Sequence, residues 1–168
     1  LILIDINGNF YTEDGKRVSV RDRDYFIEAK NGNNYMSIPY VSRVDNSIII
    51  TVSVPVIDQK NNVISVISAD LSGNWLSNNI KDILVGNTGY CYIINKEGTV
   101  LAHKNYELVK KGVNSQVMVK TDPSLQSLAK FESAALSKNT TEIDYYTYQG
   151  VLNIASSAPM KTTDWKVM

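Results

Sequence analysis

Three groups of residues in this chain could do chemistry. The densest is Arg21-Asp22-Arg23-Asp24-Tyr25-Phe26. Asp22 and Asp24 suit the positive end of a helix starting there, and Asp22 is placed to cap it. Arg21 and Arg23 stand against that dipole and need another partner, such as an anionic ligand or an acidic surface. The second is Asp70, which interrupts the apolar run 63–71 near its end. An inward carboxylate there is costly unless paired, though Asp70 could equally start the next helix or bond a turn. The third is Cys91 with His103, on facing strands of an expected hairpin. Cys91 sits between Tyr90 and Tyr92 and reads as a small core hydrophobe rather than a nucleophile. His103 reads as a hydrogen-bonded strand-end residue at a surface turn. One Cys and one His cannot build a Cys/His zinc site. Dinucleotide, phosphate-loop, HExxH and nucleophile-elbow patterns are all missing. No catalytic residue, metal or cofactor is therefore expected.

The elements that must position these groups follow from the residue pattern. Residues 1–12 read as strand, Asn-Gly turn, strand. Residues 21–32 predict a short helix with Phe26 and Ala29 facing inward and Asn31-Gly32 ending it. Segments 35–44, 47–57 and 62–71 are β-rich and separated by polar turns, which predicts an antiparallel meander. Residues 74–84 have apolar side chains at helical spacing and read as a connector helix. A β pattern restarts with GYCYIIN and TVLAHK. Residues 122–137 predict the clearest helix, with Asp122 as cap and Pro123 in the first turn. Strands at 141–149, 151–160 and 164–168 close the chain. Each half runs hairpin, helix, meander, and short stretches echo each other, which points to an internal duplication. The expected division is 1–73, a connector at 74–85, and 86–168.

Composition fits a folded globule. The 168 residues are 43% hydrophobic and 20% charged, and the single cysteine excludes a disulfide framework. Seventeen basic residues balance seventeen acidic ones, which argues against non-specific nucleic-acid binding. No apolar run approaches a membrane span. The chain opens Leu1-Ile2-Leu3-Ile4 with no initiator Met and no signal peptide, so it reads as a piece of a longer protein.

RDRDYFIEAKNG, SIPYVSRVDNSIIITVSVPVID and NVISVISADLSG together resemble the membrane-distal half of a double Cache (dCache) sensor domain. GNTGYCYIINKEGTVLAHKN resembles the start of its membrane-proximal half. The resemblance implies an α+β fold of two tandem PAS-like modules, each an antiparallel sheet flanked by helices, here with the long N-terminal helix missing. It implies a non-catalytic extracellular sensor of a bacterial transmembrane receptor, most simply a methyl-accepting chemotaxis protein. The output of a histidine kinase or diguanylate cyclase, or a protein-interaction module with a vestigial pocket, is the alternative. The implied partner is a small molecule, an amino acid or a related amine or carboxylate, with no nucleic acid. The implied location is the outer face of the cell membrane, anchored in the full-length protein, with a homodimer left open.

In amino-acid-binding members an Arg-x-aromatic-aromatic motif, a Pro-Tyr tyrosine and a strand-end aspartate form the pocket. Arg23, Tyr25, Phe26, Tyr40 and Asp70 match them. Ser42, Asp45 and Ser53 are added as pocket candidates from their position alone. A guanidinium grips a carboxylate through two parallel hydrogen bonds, and a carboxylate across the pocket takes an ammonium. Two hydroxyls usual in the pattern are absent, because this chain has Phe26 and Val18 at those places.

Overall fold

The computed structural model describes residues 1–168, which divide into two compact units, Leu1–Gly73 and Asn74–Met168. The first unit begins with β1 (Ile2–Asp5), whose β-branched run stops at a turn tied by the Asp5 carboxylate. Asp5 Oδ1 accepts from the backbone N–H of Asn7 and Asn9, both at 2.9 Å. Gly8 in that turn has φ +79°, and a Cβ there would meet Arg21 Cα at 2.7 Å. Only glycine fits such a left-handed close approach. β2 (Asn9–Tyr11) and β3 (Arg17–Ser19) then form a hairpin with Phe10 opposite Val18.

Helix α1 (Asp24–Lys30) is shorter than the predicted 21–32, and its N-cap is Arg23, with no side-chain cap bond. Asp22 is not the cap, because its carboxylate is taken by Arg43. Tyr25, Phe26 and Ala29 bury one face of α1. They join Ile4, Phe10, Val18, Val20 and Val66 in the core of the unit. Burying a ring such as Phe26 contributes roughly 1.5–3 kcal/mol over leaving it in water.

The predicted strand 35–44 is two short ones, β4 (Tyr35–Met36) and β5 (Tyr40–Val41), broken around Pro39, which has no N–H for a ladder. β6 (Ile48–Ile57) and β7 (Val63–Ser72) are the long meander strands, in a register that sets Thr51 against Asp70 and Ser53 against Ser68. β1 returns to pair with β7, giving the order β1-β7-β6-β4 with β5 also on β6.

The second unit starts with α2 (Trp75–Ile80), within the predicted 74–84, and β8 (Leu84–Val85) paired with β9 (Gly89–Tyr90). Its sheet uses β10 (Tyr92–Ile94) and β11 (Val100–His103). Two short helices follow, α3 (Tyr106–Lys110) and α4 (Ser115–Met118), each capped by an asparagine, Asn105 and Asn114. A 3-10 turn (Pro123–Leu125), held by the Asp122 carboxylate on Ser124 N–H, leads into α5 (Gln126–Ser137). β12 (Glu142–Tyr148), β13 (Val151–Pro159) and β14 (Lys166–Val167) complete the order β11-β10-β14-β13-β12. Each unit thus carries one five-stranded antiparallel sheet and one two-stranded ribbon with its helices, the α+β architecture that the resemblance implies. His103 departs from the expected surface turn. It is buried between the rings of Tyr90 and Tyr92, and its Nδ1 accepts from Asn105 N–H. Cys91 is buried too, and burial pushes its thiol up, away from the nucleophilic form.

Candidate functional site

Arg23 leaves the start of α1 toward the β5 segment. Its Nη2 donates to the carbonyl of Val41 at 3.1 Å, and its guanidinium carbon lies 4.7 Å from the centre of the Tyr40 ring. The Tyr25 and Tyr40 rings stack at 5.9 Å. Burial pushes both phenols above their ordinary value, so both stay neutral donors. Across the sheet the β6–β7 register carries a polar chain. The Tyr40 and Thr51 hydroxyls lie 2.5 Å apart, and Thr51 Oγ1 donates to Asp70 Oδ1 at 2.6 Å. That bond orients Tyr40 to donate to Thr51.

Arg23, Tyr25, Tyr40 and Asp70 line one cavity together with Ser42 and Arg43. The remaining lining is apolar: Ile2, Phe10, Val18, Val20, Val44 and Ile49. The space is about 20 Å³, enough for one water. Neither Arg23 nor Asp70 belongs to an ion pair. Of the charged groups on this cavity, Arg43 is paired with Asp22, while Arg23 and Asp70 are left outside any ion pair.

Three predicted pocket residues lie outside this lining. Phe26 is 2% exposed in the core, on the α1 face that meets the sheet, with Lys30 over its ring. Ser53 is 1% exposed and donates to the Tyr25 carbonyl at 2.7 Å, fastening α1 to β6. Asp45 accepts from the N–H and hydroxyl of Ser47, bonds that hold its carboxyl below the usual range, and it closes the turn before β6. Ser42 lines the cavity, yet its hydroxyl also accepts from Val44 N–H at 3.1 Å.

Sequence reasoning missed Thr51 and Arg43. Thr51 had a signal, as the one polar residue in the run Ile48-Ile49-Ile50-Thr51-Val52, fully buried and opposite Asp70. Arg43 had none. It sits in the loop between β5 and β6 and reaches back to the segment before α1. Its Nη1 donates to Asp22 Oδ1 at 2.7 Å and to the Ser19 carbonyl at 2.8 Å, and its Nη2 to Asp22 Oδ2 at 2.6 Å. This two-pronged bond holds the Asp22 carboxyl well below the usual carboxylate range.

The chain belongs to the Cache domain family, in its dCache form, whose sequence profile matches residues 1–168. Among curated relatives it is 26% identical over 132 residues to the methyl-accepting chemotaxis protein PscA of Pseudomonas syringae pv. tomato, covering 78% of this chain and 20% of that protein. It is 33% identical over 91 residues to sporulation kinase D of Bacillus subtilis, covering 54% of this chain and 18% of the kinase. The chain thus spans a fifth or less of either relative. Among solved structures, the ligand-binding domain of the Pseudomonas fluorescens chemoreceptor CtaA in complex with L-serine superposes with a TM-score of 0.71. The identity is 19%, over 99% of this chain and 69% of that one. At that identity the likeness is one of fold.

Proposed function

We propose that the Leu1–Gly73 unit is the ligand-binding module of an extracytoplasmic sensor and that its ligand is an amino acid or a similar zwitterion. One observation carries this reading: Arg23 and Asp70 line the same cavity and neither is neutralised by an ion pair. A zwitterion supplies what each lacks, a carboxylate for Arg23 and an ammonium for Asp70. The stacked Tyr25 and Tyr40 rings line the same cavity. A vestigial pocket would instead show Arg23 and Asp70 paired to neighbours with no space between. The CtaA complex with L-serine supports the reading by fold.

The unit performs no chemistry on the ligand. Binding selects one conformation over another, and the difference in affinity between them is the signal. The whole protein is a membrane-anchored receptor with its sensor outside the cell, and the anchor lies in other segments. No helix of this chain is long and apolar enough to cross a membrane. The similarity to both a chemotaxis receptor and a sporulation kinase favours a second reading of the output, a kinase in place of a chemotaxis signalling domain.

A thermal-shift screen with amino acids, simple amines, short carboxylates and purines tests the proposal on wild type, Arg23→Ala and Asp70→Ala. A ligand at a hundred times its Kd stabilises by about 2.7 kcal/mol. For this size that is roughly 5–10 °C. An amino acid should shift wild type and neither variant. A carboxylate that needs Arg23 but not Asp70 would remove the zwitterion, and no shift from any compound would contradict the small-molecule reading.

A further inference from the structure

The cavity holds one charged group more than a zwitterion needs. Arg23 and Asp70 are the two poles, and Arg43 is a second guanidinium on the same lining. A free guanidinium beside a bound amino acid would select an acidic side chain. Arg43 is not free: both its terminal nitrogens are engaged by the Asp22 carboxylate, and one also by the Ser19 carbonyl. The other polar groups nearby are engaged as well. The Ser42 hydroxyl accepts from Val44 N–H, and the Tyr40 hydroxyl is bonded to Thr51. What remains for a ligand side chain is the apolar wall of Ile2, Phe10, Val18, Val20, Val44 and Ile49. A polar side chain placed there would gain no hydrogen bond from that wall, and would give up water wherever the buried Phe10, Val18 and Val20 cover it.

We infer that the Arg43–Asp22 pair sets the specificity of this pocket for amino acids with uncharged, apolar side chains, by occupying the guanidinium that would otherwise accept an acidic one. The inference rests on the amino-acid reading of the pocket. It also says what would change the specificity. Removing the charge of Asp22 releases Arg43 to the ligand, while removing Arg43 leaves the apolar wall in place.

The test is a calorimetric titration of glycine, L-alanine, L-valine, L-glutamate and L-lysine into wild type, Asp22→Asn, Arg43→Gln and the double variant. Asp22 and Arg43 are both exposed, and the unliganded midpoint of each variant confirms that it folds. In wild type, affinity should rise from glycine to L-valine, by about fourfold per added carbon. L-Glutamate and L-lysine should bind more weakly than glycine. Asp22→Asn should raise the glutamate-to-valine affinity ratio by about tenfold or more, the worth of a hydrogen bond to a charged group. The double variant should lose that gain, and Arg43→Gln should keep the preference for L-valine. Wild type binding L-glutamate or L-lysine as tightly as L-valine would overturn the inference. So would an Asp22→Asn ratio unchanged from wild type. Failure of every amino acid, glycine included, would be a different result: it would refute the amino-acid reading and the inference with it.

Discussion

Thr51 shows how much a single residue decides in this unit. Its hydroxyl accepts from Tyr40 and donates to Asp70, while its N–H donates to Ser37 Oγ at 2.8 Å. Thr51→Val keeps the β-branched shape and cuts the chain of hydroxyls. The expected result is a stable unit with a ligand affinity weakened about tenfold, read by calorimetry, because Tyr40 and Asp70 then lose their orientation. Ser53 is the opposite case, since its hydroxyl donates to the Tyr25 carbonyl and not to a group on the cavity. Ser53→Ala should lower stability by about 1 kcal/mol in urea unfolding, through loss of the bond that fastens α1 to β6, with affinity little changed. Arg23 and Asp70, the two poles of the proposed pocket, stood out in the sequence because their charges sat where local structure gives them no use. Arg23 opposes a helix dipole, and Asp70 interrupts an apolar strand. Ser53 and Asp45 were placed in the pocket by position alone. Position cannot tell an inward hydroxyl that meets a ligand from one that meets a backbone carbonyl. Arg43 was invisible because its partner, Asp22, is 21 residues away in the sequence.

At the scale of elements, the long strands β6 and β7 and the helix α5 read directly from their periodicity. The short strands β4 and β5 merged into one in the sequence reading, because two-residue ladders leave no period to detect. The helices α3 and α4 have five and four residues, and only their asparagine caps mark them. Such elements exist through tertiary packing rather than propensity. The turn between β1 and β2 was legible as Asn7-Gly8, but the reason for glycine was not. Gly8 lets the chain pass against Arg21, which precedes the site helix. Gly8→Ala forces a left-handed backbone and a backbone clash together, and should destabilise the unit by about 1–3 kcal/mol, seen as a lower urea midpoint.

At the scale of the whole molecule, the two units call for different experiments. The ligand reading concerns only Leu1–Gly73, where the unspent charges lie. The second unit carries a buried carboxylate of its own. Glu132 on α5 is 3% exposed, and accepts from Tyr92 Oη at 3.0 Å and from Ser115 Oγ, with no cation beside it. Burial raises its pKa above 4.5, outweighing the bonds from Ser115 and Tyr92 that pull it down. The folded state therefore holds this proton more tightly than the unfolded state. Its stabilising effect is complete below the unfolded value and is lost as pH rises through the folded one. Glu132→Gln carries no such dependence. In urea unfolding from pH 4 to pH 8, wild type should lose ground to Glu132→Gln as the pH rises. A constant difference across that range would contradict the raised pKa.

The central claim is that one cavity presents a cation and an anion to one ligand. Ligand chemistry tests it more directly than any substitution, since the protein stays unchanged. L-Alanine, propionate and ethylamine share a carbon frame and differ in which charged groups they carry. Calorimetric titration of each into the wild-type chain should show binding of L-alanine, with propionate and ethylamine each weaker by about tenfold or more for the lost charged contact. Propionate or ethylamine binding as tightly as L-alanine would contradict the two-pole pocket.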